Sequence, residues 1–594
     1  MLMIKNIRNR INNNHLNIRK STDISKSFIK HISRNLSISE HEEIIREEIE
    51  TDVLIVGGGP GGLATAIKLQ QLSQKHNKQL DITIVEKGSE IGSHIISGNC
   101  FETHALSDLI PNWKEKGAPI ETEVKKDKFL ILTKNGSFSI PEFLLPDGIH
   151  NRGNYIISLS QLCRWLGKEA EELGVNIFTG FAGNDLFYDD EKKIVQGIIT
   201  NDFGIAKDGK KKASFQPGNV IKSKITVLAE GCRGSLTERA IEKFNLRSHP
   251  QHYGIGLKEV WEVPENHPHF FPGLVQHTVA WPLDIKTYGG SFMYHMKPNI
   301  IHLGFVVGLD YANPHLNPYE EFQKFKTHKD VRKYLEGARC IEYGSRCLNE
   351  GGYYSIPKLS FPGGVLVGDS AGFLNVSKIK GTHNAITSGI LAAETIFEEI
   401  CLKENTNYGQ NLNKYEEKIR KSKINEELFL SRNFQGGFSK NLFFGLIHGF
   451  FTSLIKGKEF WEFKSKKSDS QYYNKASNSK KIEYPKHDGV LTFDLLENLA
   501  RSGTNHDHDQ PSHLRIKKDK LDSPMKSYKE YAAPEERFCP AKVYEFVKDD
   551  KDQPKLQINA QNCLHCKCCS IKMVDEYIDW NVPQGGEGPK YNLM

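Results

Sequence analysis

Asp52-Val-Leu-Ile-Val56-Gly57-Gly58-Gly59-Pro60-Gly61-Gly62 is an apolar run that breaks into a glycine turn, and an amphipathic stretch from Leu63 to Leu72 follows it. A second apolar run, Ile82-Thr-Ile-Val85, ends on Glu86, 24 positions past Gly62. Gly-x-Gly-x-x-Gly alone is weak, but here it has a strand before it, a helix after it and an acid at the right distance. Gly57 makes the tight turn, and Gly59 lets backbone approach a pyrophosphate. Gly62 lets the helix lie close to the strand, with the helix N-terminus facing the anion. Gly58, Pro60 and Gly61 complete the turn, and Glu86 is placed for the adenosine ribose hydroxyls. The stretch predicts a Rossmann-like βαβ unit rather than a glycine-rich turn with no ligand.

Two later pieces separate flavin from nicotinamide. Val227-Leu-Ala-Glu-Gly231-Cys-Arg-Gly234 is a strand breaking into a second glycine turn. Val365-Leu-Val-Gly368-Asp369-Ser-Ala-Gly372 is a strand ending in Gly-Asp, where an acid can accept hydrogen bonds from ribitol hydroxyls. Either alone is an ordinary strand-to-turn junction; in this order the three imply FAD. No second Gly-x-Gly-x-x-Gly follows a strand, so an NAD(P)H site is not indicated and the reductant is another protein or a substrate.

The far end carries different chemistry. Five of the eleven cysteines lie in the last 56 residues, four of them in Cys563-Leu-His-Cys566-Lys-Cys568-Cys569, with Cys539-Pro540 upstream. A Cys-x2-Cys-x2-Cys run with a distant Cys-Pro is ferredoxin-type spacing for one [4Fe-4S] cluster. Zinc sites more often show two separated pairs. The other six cysteines are scattered without a disulfide framework. Cys566-x-Cys568 is too short a step for the regular loop, so the expected ligands are Cys539, Cys563, Cys566 and Cys569, with Cys568 a bystander. A flavin reductase or hydroxylase would leave the cysteines idle, and a ferredoxin-like carrier would leave the FAD pieces idle. A visible spectrum separates these readings.

Charge is concentrated at one end. Residues 1–39 hold eight Lys/Arg against Asp23, while the rest of the 594-residue chain has 71 basic and 72 acidic residues. Nucleic-acid binding therefore has no footprint. The leader is basic, Ser- and Asn-rich and acid-poor, and reads as a mitochondrial presequence. No clean apolar stretch of about 20 residues is present. Residues 438–457 come nearest, with no acid and Phe443, Phe444, Phe450 and Phe451; they are either a core helix or an element lying in one membrane face. Residues 94–110 are a second candidate for that surface.

Between residues 250 and 350 the pattern is strand-like and suggests an inserted sheet. Within it, Tyr288-Gly289-Gly290-Ser-Phe-Met-Tyr-His295 is either a hairpin turn or a point where bare backbone meets a flat ligand. Lys207-Asp-Gly-Lys-Lys-Lys212 reads as a solvated hairpin loop. Asn505-His506-Asp507-His508-Asp509 with His513 is a poor metal set, because alternating side chains in an extended segment diverge.

Four stretches together resemble one family. They are Gly364-Val-Leu-Val-Gly through Asn375-Val-Ser-Lys-Ile-Lys-Gly-Thr-His383, the Tyr288 to His295 stretch, Ser502-Gly-Thr-Asn-His-Asp-His-Asp-Gln-Pro511, and Arg537-Phe-Cys539-Pro-Ala541 with Ile558-Asn-Ala-Gln-Asn-Cys563-Leu-His-Cys566. The chain after its leader is similar to electron-transfer-flavoprotein:ubiquinone oxidoreductases; Cys568 departs from the family pattern. The resemblance implies FAD, one [4Fe-4S] cluster, reduced electron-transfer flavoprotein as donor and ubiquinone as acceptor. It also implies a monotopic seat on the matrix face of the mitochondrial inner membrane, with residues 438–457 helping to hold it there. No side chain need act as a nucleophile. Gly289 and Gly290 would hold the quinone head group. The implied class is α/β: an FAD-binding Rossmann-like domain (51–250 and 355–400) with an inserted β-rich ubiquinone-binding domain (251–354). A helical membrane-associating region (401–480) and a ferredoxin-like [4Fe-4S] domain (481–594) follow, all behind a targeting peptide (1–39).

Overall fold

The structure is a computed structural model that describes residues 45–403, 407–455 and 457–594. The expected targeting peptide lies outside the described residues. The elements that build the site are β1 (Glu48–Val56), α1 (Pro60–His76), β2 (Ile82–Glu86), β3 (Lys126–Leu132), β4 (Ser137–Ile140), β5 (Val220–Leu228), β6 (Tyr253–Glu262), β7 (Leu274–Ala280), β8 (Gly289–Met296), β9 (Ile300–Gly308), β10 (Arg339–Asn349), β11 (Gly364–Leu366), α2 (Thr382–Phe397) and α3 (Leu442–Leu454).

β1 lies parallel to β2 on one side and to β5 on the other, and β11 is parallel to β5. Val53, Leu54, Ile55 and Val56 are all buried, which is why the run reads as continuously apolar: a central parallel strand is covered on both faces. Gly57 has φ +110°, and a Cβ there would stand 2.4 Å from the Ala229 carbonyl oxygen. A Cβ on Gly62 would stand 2.1 Å from the Gly57 carbonyl oxygen. The turn is therefore closed to any other residue at both positions.

The second sheet has seven strands in the order β10-β6-β9-β8-β7-β3-β4. The 126–140 hairpin belongs to it, although these residues fall inside the stretch expected for the first domain. β3 pairs in parallel with β7 from Leu274↔Lys126 to Ala280↔Leu132. The β7-β8-β9 meander leaves one edge of β7 bare, and β3 satisfies its N–H and C=O groups. The 207–212 lysines cap a real hairpin, Phe203–Ile205 with Lys211–Gln216.

The C-terminal module packs on the second sheet in one shared core, which includes Trp261, Phe305, Phe493 and all five of its cysteines. A buried carboxylate fixes this contact. Glu259 accepts from Lys326 Nζ (2.9 Å), Gln323 (3.2 Å), Trp261 Nε1 (2.8 Å) and Asn498 (2.8 Å). Removing either charge would leave the other buried and unpaired, which costs about 3–5 kcal/mol. Of the expected helical region, the helices among the described residues past Leu402 run from residue 413 to 454; 457–480 holds two short 3-10 turns, Asp469–Tyr472 and Ala476–Asn478. The Lys- and Ser-rich stretch 464–468 there has no apolar period to drive a helix.

Candidate functional site

One cavity of about 870 Å³ runs from the 57–62 turn, past Gly289 and Gly290, to α3. This suits a large apolar ligand with a few oriented polar groups. At its first end Gly57, Gly59, Pro60, Gly61 and Glu86 line the wall. Gly58 and Gly62 sit behind it. Glu86 is held by its own turn, accepting from the Gly58 N–H (2.9 Å) and the Gly88 N–H (2.7 Å). Gly59 caps α1 without a side-chain bond, so the first N–H groups of the helix stay free for an anion. Gly231, Gly368 and Asp369 close the same end. Burial pushes the Asp369 carboxyl up to about 6, against the pull of the Arg346 guanidinium. A bare-backbone cradle at a helix start, with acids at both ribose-like positions, fits an FAD dinucleotide.

Sequence reasoning missed the cations in this wall. Lys87, Lys258, Arg346 and Lys567 all line the cavity. Burial lowers Lys258 to about 7, and its ammonium donates to the Asn99 side chain. Lys567 lies inside the cysteine run, but no local spacing joins it to the other three; the four come from separate segments and meet only in the folded chain.

At the middle of the cavity the reason for the double glycine differs from the expected one. A Cβ on Gly289 would stand 2.4 Å from the Val306 carbonyl oxygen, and one on Gly290 2.7 Å from that of Thr278. The clash is with neighbouring strands before it is with any ligand. Val306, opposite Gly290 in the register, is half-buried and faces the cavity.

Residues 94–110 are not a surface element. Leu106, Leu109 and Ile110 are buried in the first core, and residues 94–100 form cavity wall. Residues 438–457 divide by helix face instead. Phe443, Ile447, Phe450, Phe451 and Leu454 lie on one exposed stripe of α3, with Phe443 60%, Ile447 60% and Phe451 57% exposed. This is the i, i+4, i+7, i+8 spacing of one helix side. Leu442, His448 and Thr452 are buried, and Phe444 is half-buried, stacked on His448. The cavity's other lip carries Leu144, beside Phe143 at 82% exposure. Among the described residues no helix is long and apolar enough to cross a membrane.

Cys539, Cys563, Cys566, Cys568 and Cys569 are all buried in one place. The Cys539 sulfur accepts from the Val543 N–H and the Cys563 sulfur from the His565 N–H, each at 3.4 Å. Trp580 Nε1 and the Tyr544 hydroxyl are buried beside Cys563 and Cys569 respectively, with no hydrogen-bond partner among the described residues. Burial pushes the Cys539 thiol up to about 12 and raises Cys563, Cys566 and Cys569. Four such thiols become thiolates only around a cationic centre, which deprotonates them outright. Donors aimed at sulfur and thiols awaiting a cation fit an iron–sulfur cluster. Cys568 meets Cys347 of β10.

The 563–569 loop is also part of the cavity wall. The Cys347 N–H donates to the Cys566 carbonyl (3.0 Å). Arg233, in the second glycine turn, donates to Ser570 Oγ (3.1 Å) and O (2.7 Å). Lys567 reaches Ser235 Oγ (2.9 Å) and lies 3.2 Å from the centre of the Trp580 ring. The expectation that the 505–513 histidines diverge does not hold for two of them. The segment bends, stacking His506 on His513, and His506 Nε2 lies 2.9 Å from Nε2 of His565 in the cysteine loop. Burial lowers His506 to about 4, so the contact is a neutral hydrogen-bonded brace.

A mostly parallel sheet with a glycine phosphate turn, facing a second sheet across one long cavity, defines the two-sheet flavoprotein oxidoreductases. A solved geranylgeranyl bacteriochlorophyll reductase-like protein from Thermoplasma acidophilum shares the fold, with a TM-score of 0.50 at 16% identity, over 70% of this chain and 94% of that one. Residues 55–107 match the family model of an NAD(P)-binding Rossmann-like domain. Residues 253–348 match "ETF-QO, ubiquinone-binding", and residues 489–592 match "Electron transfer flavoprotein-ubiquinone oxidoreductase, 4Fe-4S". Mitochondrial electron transfer flavoprotein-ubiquinone oxidoreductases are similar over nearly the whole length. That of Arabidopsis thaliana is 52% identical over 93% of this chain and 86% of its own. That of Homo sapiens is 48% identical over 92% and 89%. The chain belongs to the electron transfer flavoprotein-ubiquinone oxidoreductase family.

Proposed function

We infer that this chain takes electrons from reduced electron transfer flavoprotein, moves them through one [4Fe-4S] cluster and FAD, and reduces ubiquinone at the mitochondrial inner membrane, seated monotopically on its matrix side. The observation that carries this is the single cavity: dinucleotide turn at one end, cysteine loop in its wall, apolar lip at the other. Bound FAD and cluster supply the junction between a one-electron donor and a two-electron acceptor. The residues do the rest. Gly57, Gly59, Pro60, Gly61, Glu86, Gly231, Gly368 and Asp369 bind and orient FAD, with Gly58 and Gly62 shaping the turn. Cys539, Cys563, Cys566 and Cys569 hold the cluster. Gly289 and Gly290 present backbone to the quinone ring, and α3 lets the isoprenoid tail enter from lipid.

The test is quinone reduction by the purified holoenzyme with reduced electron transfer flavoprotein as donor. Val306→Phe, which fills the cavity opposite Gly290, is expected to cut quinone reduction about 10-fold or more while FAD and cluster reduction by the donor stay normal. Normal quinone turnover in this variant places the acceptor elsewhere. Trp580→Phe removes the unpartnered N–H beside Cys563. Because an N–H dipole at that sulfur favours the more negative, reduced cluster, its loss is expected to lower the midpoint potential in an EPR-monitored titration, with the cluster still assembled.

A further inference from the structure

Ubiquinone needs protons as well as electrons, and one buried acid stands beside its expected subsite. Glu350, just past β10, is 2% exposed and lines the cavity together with Tyr288, Gly289 and Gly290. Its N–H donates to the His252 carbonyl (2.7 Å). Among the described residues no hydrogen bond or ion pair reaches its carboxyl group.

The room for that carboxyl is made by two facing glycines. Gly254 of β6 is directly opposite Gly308 of β9. A Cβ on Gly254 would stand 2.4 Å from Glu350 Oε1 and 3.1 Å from Oε2. One on Gly308 would stand 3.0 Å from both Asp310 Oδ1 and Tyr288 Cδ1. Directly opposed Cβ positions lie about 4.5–5.5 Å apart on one face of a sheet, so the Glu350 and Asp310 carboxyls share a single slot with the Tyr288 ring. The groups around it are the Asp310 and Asp469 carboxyls, His252, Tyr288 and Lys572. His252 Nδ1 is bound to Asp469 Oδ1 (2.7 Å) and Lys572 Nζ to the Asp469 and Tyr311 carbonyls, so neither cation serves Glu350. Burial first, then Asp310 and Asp469, hold the Glu350 proton on well above the usual carboxylate range. Asp310 is only half-buried.

We propose that Glu350 is the proton donor to a quinone oxygen in this cavity, with Asp310 returning a proton to it from solvent. The step balances: two electrons arrive from the donor through the cofactors, the Glu350 O–H bond breaks, one quinol O–H bond forms, and a carboxylate is left. Asp310 reprotonates that carboxylate, and solvent supplies the proton for the second quinol oxygen. The proposal rests on placing the quinone beside Gly289 and Gly290.

The experiment follows reoxidation of the reduced holoenzyme by a short-chain ubiquinone and by ferricenium, a one-electron acceptor that takes no proton. Glu350→Gln is expected to slow reoxidation by quinone about 100-fold and leave that by ferricenium unchanged. Glu350→Asp should recover part of the loss with a displaced pH profile. Gly254→Ala, which keeps the acid but pushes it aside, should slow the quinone reaction alone. Quinone rates within about two-fold of wild type in Glu350→Gln, or equal losses with both acceptors, overturn the assignment. If Glu350→Gln fails to retain FAD, Gly254→Ala decides: an unchanged quinone rate overturns it. Val306→Phe separates the two levels. Normal quinone reduction there sinks the subsite, whereas a block there with an active Glu350→Gln sinks only the donor.

Discussion

Cys563→Ser, Cys566→Ser and Cys569→Ser are each expected to abolish the broad iron–sulfur absorbance and, with it, reduction by electron transfer flavoprotein. Cys568→Ser is expected to retain both. The asymmetry has a local cause. Cys563 and Cys569 lie beside two buried donors that have no hydrogen-bond partner, Trp580 Nε1 and the Tyr544 hydroxyl, whereas Cys568 lies beside the Cys347 thiol. FAD should remain bound in all four variants. Its turn, acid and glycines are built on the first sheet, and only Lys567 and Val582 of the C-terminal module reach the cavity wall. Flavin and cluster are read separately from the visible spectrum after bleaching. A cluster that survives Cys566→Ser, or one lost in Cys568→Ser, reverses the ligand set.

Phe450→Asp with Phe451→Asp is expected to release the protein from liposomes while both cofactors stay in place. Both rings sit on the exposed stripe of α3. Burying their remaining exposed surface in lipid contributes about 2–3 kcal/mol for the pair, or roughly 30- to 140-fold in partitioning. Two carboxylates at the same depth add a further penalty of the same sign. Co-flotation with vesicles measures the partitioning, and FAD content controls for folding. If the double variant loses FAD, the stripe is packing surface rather than membrane surface. Phe444→Asp makes the contrast: stacked on His448, it should destabilise the helix rather than merely detach it.

Much of this site is legible in the sequence because its chemistry is local. A glycine turn, an acid at the end of the next strand and cysteines at three-residue steps are set by covalent spacing. Backbone geometry then fixes what they can approach. The glycine turn, the clustered cysteines and the double glycine were readable for that reason. So was the helix with the apolar stripe, although its face was not. Period alone does not say which side of a helix finds a partner. Residues 94–110 show the same limit, since an apolar run looks alike whether it lies in lipid, core or cavity wall.

By itself, the sequence determined a flavin and iron–sulfur oxidoreductase. Only the tertiary structure decided how its parts meet. It put the 126–140 hairpin into the second sheet, because an open strand edge must be paired. It brought His506 and His513 onto the cysteine loop, and the cysteine loop onto the cavity. It turned the Gly289 and Gly290 requirement into one imposed by neighbouring carbonyls, and it laid a buried carboxyl over Gly254. Each of these joins residues tens to hundreds of positions apart, and such contacts are fixed by packing and hydrogen-bond satisfaction in three dimensions, which no local spacing encodes.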